Sequence, residues 1–280
     1  MKFSRPLVIG AGIIGALLLF VALTILFIPA GELKALLTKE LERQGYSMRT
    51  SQFSKAFPIG LKARDLEISD ARGSLIKLDT VTARISLPAL CIGRVVVHYH
   101  AEIGNGTIEG DVSPQRNGRF SLSLDGVQLE DIPFFQSVAE ARVKGDLNAR
   151  ASLQGSKEKN TGELRLWIKG AVLAGVKISG MPLPDAAYDT IQGLCKVNNG
   201  RVNLESFTMQ GKGLYVRLKG EIPVAASLGS APLNLTLELM PKPEFLESQK
   251  FVFLLLTKYL TTPGHYQIPV GGTLAKPVIQ

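Results

Sequence analysis

The sequence predicts a mainly β protein: an N-terminal transmembrane helix followed by an antiparallel multi-stranded sheet, with a few short helices. Three observations carry the prediction. Apolar and polar residues alternate with period 2 from about Gly60 to Leu239, a glycine–polar–aliphatic motif recurs along that stretch, and Leu7–Ile28 holds no charged residue. A period of 2 sends successive side chains to opposite faces of a strand. One face is then apolar and one wet, as in an antiparallel sheet solvated on one side.

The first element is Leu7–Ile28, in which Thr24 is the only hydroxyl. As a helix it reaches about 33 Å, enough to cross a bilayer core with some tilt. A cleavable signal peptide has a shorter apolar region and a small-x-small cleavage site, whereas this run ends Phe27-Ile28-Pro29-Ala30-Gly31 and continues as a charged helix. The expected organisation is a cytoplasmic tail (1–6), a single-pass anchor (7–28), a juxtamembrane helix (29–45) and a β-rich domain (46–280) outside the cytoplasm. Lys2 and Arg5 on one side nearly balance Lys34, Lys39 and Arg43 on the other, and the very short tail tips the orientation. In the juxtamembrane segment Leu33, Leu36, Leu37 and Leu41 recur close to helical spacing, and Gly45 stops the helix.

The strands follow. Leu61, Ala63, Leu66 and Ile68 alternate with polar residues, with a one-residue slip at Asp65 as a bulge would give. Next come Val81 to Leu87, then Val95 to Ile103, which sets His98, His100 and Glu102 on its polar face, then Phe120/Leu122/Leu124. The longest clean alternation runs from Val143 to Gln154. Later strands are marked by Leu164/Leu166/Ile168, Val202/Leu204, Leu214/Val216/Leu218 and Leu233 to Leu239. Gly106-Thr-Ile, Gly145-Asp-Leu, Gly162-Glu-Leu, Gly200-Arg-Val, Gly220-Glu-Ile and Gly272-Thr-Leu suit hairpins and bulges that need positive φ. Their uneven spacing indicates hairpins, not a solenoid. Three helices are expected between strands: Ile132 to Ala141, Pro184 to Gln192 with Asp185 early and Gly193 as its stop, and Pro243 to Leu260. In the third, Phe251–Leu256 has almost no wet face. Such a helix is either buried as a plug or lid on the sheet, or in contact with lipid.

Composition narrows the function classes. A formal charge of +8, from 32 basic and 24 acidic residues, suits anionic lipid or an acidic partner. The bases are scattered and not clustered among aromatics, so nucleic acid is not an expected partner. Cys91 and Cys195 lie far apart without a C-x-x-C partner, which argues against a redox pair or a zinc site and leaves either one disulfide or two buried thiols. His98, His100 and Glu102, spaced i, i+2, i+4, are the nearest approach to a metal site, but no further ligand stands nearby and solvated strand positions are the plainer reading. No nucleophile elbow, P-loop, H-E-x-x-H or paired-carboxylate context occurs. No catalytic, cofactor or metal residue is assigned, and no enzymatic activity is expected. Asn105-Gly-Thr107 and Asn234-Leu-Thr236 match the glycosylation sequon, which matters only in a eukaryotic secretory route.

After the anchor the motifs run in a definite order: Phe57–Ile68 (FPIGLKARDLEI), Leu129–Pro133 (LEDIP) leading to Val143–Leu147 (VKGDL), Leu183–Asp185 (LPD), Asn199–Leu204 (NGRVNL), Gly211–Gly213 (GKG), Leu218–Ile222 (LKGEI), and Ile268–Pro277 (IPVGGTLAKP) at the end. In this order over nearly the whole chain it resembles type II secretion system protein N and, more distantly, the AsmA-like envelope proteins. The resemblance implies a non-enzymatic accessory component of the secretion machinery in the inner membrane of a Gram-negative cell, its domain in the periplasm. Its partners would be other secretion-system proteins such as the secretin or the inner-membrane platform. The AsmA-like relatives suggest a curved half-barrel sheet with an apolar trough, and so the alternative of an envelope lipid-binding or lipid-transfer protein with phospholipid as partner. The chain is far shorter than the long bridging members and does not span a periplasm by itself.

An open apolar face is costly, at about 25 cal/mol per Å². The sheet is therefore expected to curl, to pack the Phe251–Leu256 helix against its trough, or to hold a guest. Leu147, Ala149, Leu166 and Leu235 are the expected trough residues.

Overall fold

Alternation of apolar and polar residues becomes strand pairing almost throughout. The computed structural model describes residues 29–280 except 116, 138–139, 157–158, 179–180, 224–229 and 275. The tail and anchor expected at 1–28 lie outside the described residues. Among the described residues no helix is long and apolar enough to cross a membrane.

The chain is mainly β. Helix α1 (Ala30–Arg43) leads into β1 (Ser47–Arg49), β2 (Gln52–Ala56), β3 (Gly60–Asp70) and β4 (Gly73–Ile85). After helix α2 (Leu87–Cys91) come β5 (Val97–Ile103), β6 (Gly106–Ser113) and β7 (Gly118–Gln128). A 3-10 turn (Leu129–Asp131) and helix α3 (Phe134–Ser137) precede β8 (Arg142–Gly155) and β9 (Asn160–Ala174). The small hairpin β10 (Lys177–Ile178) and β11 (Met181–Pro182) stands apart, followed by β12 (Ala186–Asn198), β13 (Arg201–Gln210), β14 (Leu214–Pro223) and β15 (Asn234–Pro241). Helices α4 (Pro243–Ser248) and α5 (Lys250–Leu255) and a 3-10 turn (Thr257–Tyr259) separate β15 from β16 (Leu260–Thr262), β17 (His265–Thr273) and β18 (Lys276–Ile279).

Sixteen of these strands form one large curved antiparallel sheet, ordered β1-β3-β4-β5-β6-β7-β8-β9-β12-β13-β14-β15-β17-β16, with β2 also on β3 and β18 also on β17. Spatial order therefore follows chain order, a meander of hairpins. At the β12–β13 turn Asn199 (φ 46°) and Gly200 (φ 76°) supply two consecutive positive φ values, the geometry of a two-residue I′ hairpin. The turn is pinned by Asn160, whose Oδ1 accepts from Gly200 N at 2.8 Å.

Register aligns the apolar residues into one row across the sheet. Phe53 pairs with Ala63, Ala63 with Val81, Val81 with Ala101, Ala101 with Ile108, Ile108 with Leu124 and Leu124 with Ala149. The row continues through Leu166, Gly193, Phe207, Leu218 and Leu237 to Ile268. None of its members is exposed. Small residues (Ala63, Ala101, Ala149, Gly193) recur between large ones, which lets neighbouring side chains lean over them.

Three apolar clusters result. The largest joins β9, β12–β15 and β17 to α4 and α5, with Leu256 and Ile268 fully buried. A second holds Leu78, Ala101, Ile103 and Val127 against Ile132. The third gathers Leu129, Ala141 and Val143 beside the 3-10 turn.

Several sequence expectations are corrected. Pro184–Gln192 is not a helix. From Ala186 it is strand β12, paired on both sides with β9 and β13. Asp185, expected early in that helix, instead accepts from Gly175 N at 2.8 Å, tying the strand's start to the end of β9. The helix expected over Ile132–Ala141 is the single turn of α3, and that over Pro243–Leu260 breaks at Gln249 into α4 and α5. The strand expected to reach Leu87 ends at Ile85, and Leu87 opens α2. Asp65 has φ 48°, but the register shift of β3 against β4 lies at Ile68/Ser69. A helix forms over Ala30–Arg43, within the 29–45 segment where one is expected, with Leu36 and Leu37 exposed.

Candidate functional site

The apolar face is the first candidate surface. The four expected trough residues share it: Ala149 and Leu235 are buried, Leu166 packs on the largest cluster, and Leu147 bridges the other two. The face is covered unevenly. At the β12–β17 end α4 and α5 close it: Phe245 fills the space over Gly213, and Phe253 sits 6.2 Å from the Phe245 ring and 5.1 Å from that of Tyr266. Toward β5–β8 it remains half-buried, with Tyr99 and Phe120 stacked at 6.4 Å and Leu122, Leu124 and Leu153 beside them. The phenol of Tyr99 lies across Gly110 and donates to Ser121 O at 2.6 Å. Burial, helped by the Asp111 charge, pushes its pKa up.

Why Gly193 belongs in the row is visible locally. A Cβ there would stand 2.9 Å from both Leu166 Cγ and Phe207 Cδ2, so the flanking side chains meet over the glycine. Cys195 follows on the same face of β12 and is buried, and burial pushes its thiol pKa up. Cys91 is exposed on α2; both cysteines are free, so neither the disulfide nor the pair of buried thiols describes them.

The opposite, polar face carries an open groove of about 670 Å³, lined by Thr82, Arg84, His98, His100, Glu109, Asp111, Ser121, Ser123 and Arg150. It contains the sequence candidates His98 and His100. His98 Nδ1 pairs with Asp111 Oδ1, and His100 Nδ1 lies 3.0 Å from Glu109 Oε1. Glu102 is a looser neighbour, 3.7 Å from His100 Nε2. The two acids across the ladder were not singled out from sequence, yet register finds them. A two-residue turn at Gly104-Asn105 pairs Ile103 with Gly106 and so sets His100 opposite Glu109 and His98 opposite Asp111.

The arrangement does not form a nucleophilic triad. Ser121 Oγ approaches Asp111 Oδ2 at 3.5 Å, while His98 is on Asp111's other side. The carboxylate, not the imidazole, stands in the middle, so the imidazole is not placed to take the hydroxyl proton. Among the described residues no group of three or more His, Cys, Asp or Glu is arranged to hold a metal ion.

A buried charge lies farther along. Glu238 on β15 is 4 % exposed and meets Lys219 Nζ at 2.5 Å across the β14–β15 ladder. It is a structural pair inside the sheet.

The geometry thus defines a meandering sheet with one continuous apolar face, partly closed by helices, and one polar face. Compared with protein-family models, curated proteins and solved structures, the chain gives no significant match in any of the three.

Proposed function

We propose that this chain is a non-enzymatic accessory component of a type II secretion system. In this reading residues 7–28 anchor it in the inner membrane of a Gram-negative cell and hold the β-domain in the periplasm. There it engages other proteins of the machine, such as the secretin or the inner-membrane platform. One observation carries the reading: the motifs on which the resemblance rests fall at the turns and at the beginnings or ends of strands of a single meander. FPIGLKARDLEI runs through the turn into β3, LEDIP forms the 3-10 turn and its exit, and VKGDL opens β8. NGRVNL makes the β12–β13 hairpin, GKG joins β13 to β14, LKGEI ends β14, and IPVGGTLAKP holds the later part of β17 and the start of β18. These are the positions that set register and turn geometry, so their order supports a common architecture.

The experiment has two arms. Deletion of the gene in its parent organism is expected to lower secretion of the machine's substrates, with rescue by the full-length chain. Unchanged secretion, or a gene standing among lipid-synthesis loci away from the secretin and platform genes, overturns the reading. A reporter active only in the periplasm, fused after Gln280, is expected to work. Activity of a cytoplasmic reporter alone reverses the orientation.

A second reading, an AsmA-like lipid-binding or lipid-transfer protein, is favoured by the half-covered apolar face at β5–β8. Extraction and mass spectrometry of the protein purified in mild detergent distinguishes the two. Stoichiometric phospholipid supports the carrier; its absence leaves the scaffold.

A further inference from the structure

Helix α5 buries one apolar side and leaves another bare. Phe253 and Leu256 keep 3 % and 0 % of their surface, whereas Phe251, Leu254 and Leu255 keep 73 %, 63 % and 44 %. Positions 251, 254 and 255 are related by i, i+3 and i+4, so these side chains share one outward face. Leu260, 42 % exposed, follows at the start of β16. Single exposed leucines are ordinary; adjacent large apolar side chains on the outside of a plug mark a surface that meets something.

The surrounding charge indicates what that is. Lys250 and Lys258, both exposed, stand four residues before and after Leu254. Lys258 lies 4.5 Å over the Tyr259 ring, and Lys250 is 3.9 Å from Glu247 in a loose pair whose side chains are 67 % and 72 % exposed. Phe and Leu flanked by lysine on a short surface helix is the composition of a segment lying in a bilayer's headgroup boundary, where lysines meet lipid phosphates. A stable protein interface needs about 800 Å² from each partner, more than one outward face of a two-turn helix offers. A tethered domain needs far less, because the anchor raises its effective concentration at the bilayer.

We propose that the Phe251–Leu254–Leu255 face inserts into the surface of an anionic membrane, with Lys250 and Lys258 on the lipid phosphates. This rests on the tether proposed above and adds to it a second contact at the far end of the sheet. The plug then senses the bilayer on one side and closes the apolar face on the other.

The test uses the full-length chain in vesicles of phosphatidylethanolamine and phosphatidylglycerol. Trp167 is the protein's one tryptophan, so W167F with F251W places a single indole on the exposed face. The expected result is blue-shifted emission, quenched at least about twofold by lipids brominated high on the acyl chain. Adding K250E and K258E is expected to remove most of that quenching; full quenching in that variant overturns the role of the lysines. A chain that fractionates with the vesicles while the indole stays red and unquenched overturns the inference and leaves the face to a protein partner or to solvent. A chain that does not fractionate with the vesicles overturns the tether as well.

Discussion

Gly193 occupies the one gap in the apolar row, and Leu166 and Phe207 lean into it from both sides. A valine there has to displace two packed side chains on neighbouring strands. Gly193→Val is expected to destabilise the domain by about 1–3 kcal/mol through overpacking, read as a lower denaturant midpoint with an unchanged slope. A midpoint at or above that of the parent would show that the row is slack. The polar face has its own sensitive residue. Glu238 is buried while its partner Lys219 is about half exposed (side chains 6 % and 48 %), so the pair is not symmetrical. Lys219→Met strands a carboxylate in the sheet and is expected to cost about 1–3 kcal/mol, discounted from a fully buried pair because Lys219 reaches solvent. Glu238→Gln keeps a hydrogen-bonding group and frees Lys219 to water, so it is expected to cost less. Equal costs in thermal or chemical unfolding would contradict this asymmetry.

At the scale of elements, α5 tests whether the plug is part of the core. Phe253 makes ring contacts with Phe245 and Tyr266 and is almost wholly buried. Phe253→Ala is expected to cost about 3–5 kcal/mol, measured by chemical denaturation of the detergent-solubilised chain. A loss below about 1 kcal/mol would mean that the helix rides on the sheet as a displaceable lid. The same scale shows what the sequence revealed. Strands whose inward residues keep one parity, such as β8 from Val143 to Leu153, were plain from alternation alone. Strand β12 was hidden because its inward parity changes: Ala186 and Tyr188 are buried, then Ile191, Gly193 and Cys195. Without a steady period, Pro184, Asp185 and Gly193 imitate the start and stop of a helix, and only pairing with β9 and β13 decides against them. The histidine groove was half legible. His98 and His100 stood out by type, while Asp111 and Glu109 required the hairpin register. The break at Gln249 left no mark in hydropathy, because both halves of the Pro243–Leu260 stretch are apolar on their sheet side.

Across the whole molecule, each long strand bonds to its neighbours in the chain, and both rims are broken into short pieces. The rim on β3 is β1 and β2, of 3 and 5 residues; the rim on β17 is β16 and β18, of 3 and 4. Short, interrupted rims give another copy little backbone to pair with, which guards the sheet against edge-to-edge association. The same order has a mechanical consequence. Pulling the N-terminal side of α1 away from Gln280 loads the two rims of an antiparallel meander. Hydrogen bonds there run across the strands and are opened a pair at a time, as in a zip, without being sheared together. Held in an optical trap by its ends, the domain is expected to lengthen in successive hairpin-sized steps at low force; a single high-force rupture would contradict it. Tension applied across the two ends of the sheet is then absorbed first by β1, β2, β16 and β18, leaving the β8–β9–β12 middle folded until last.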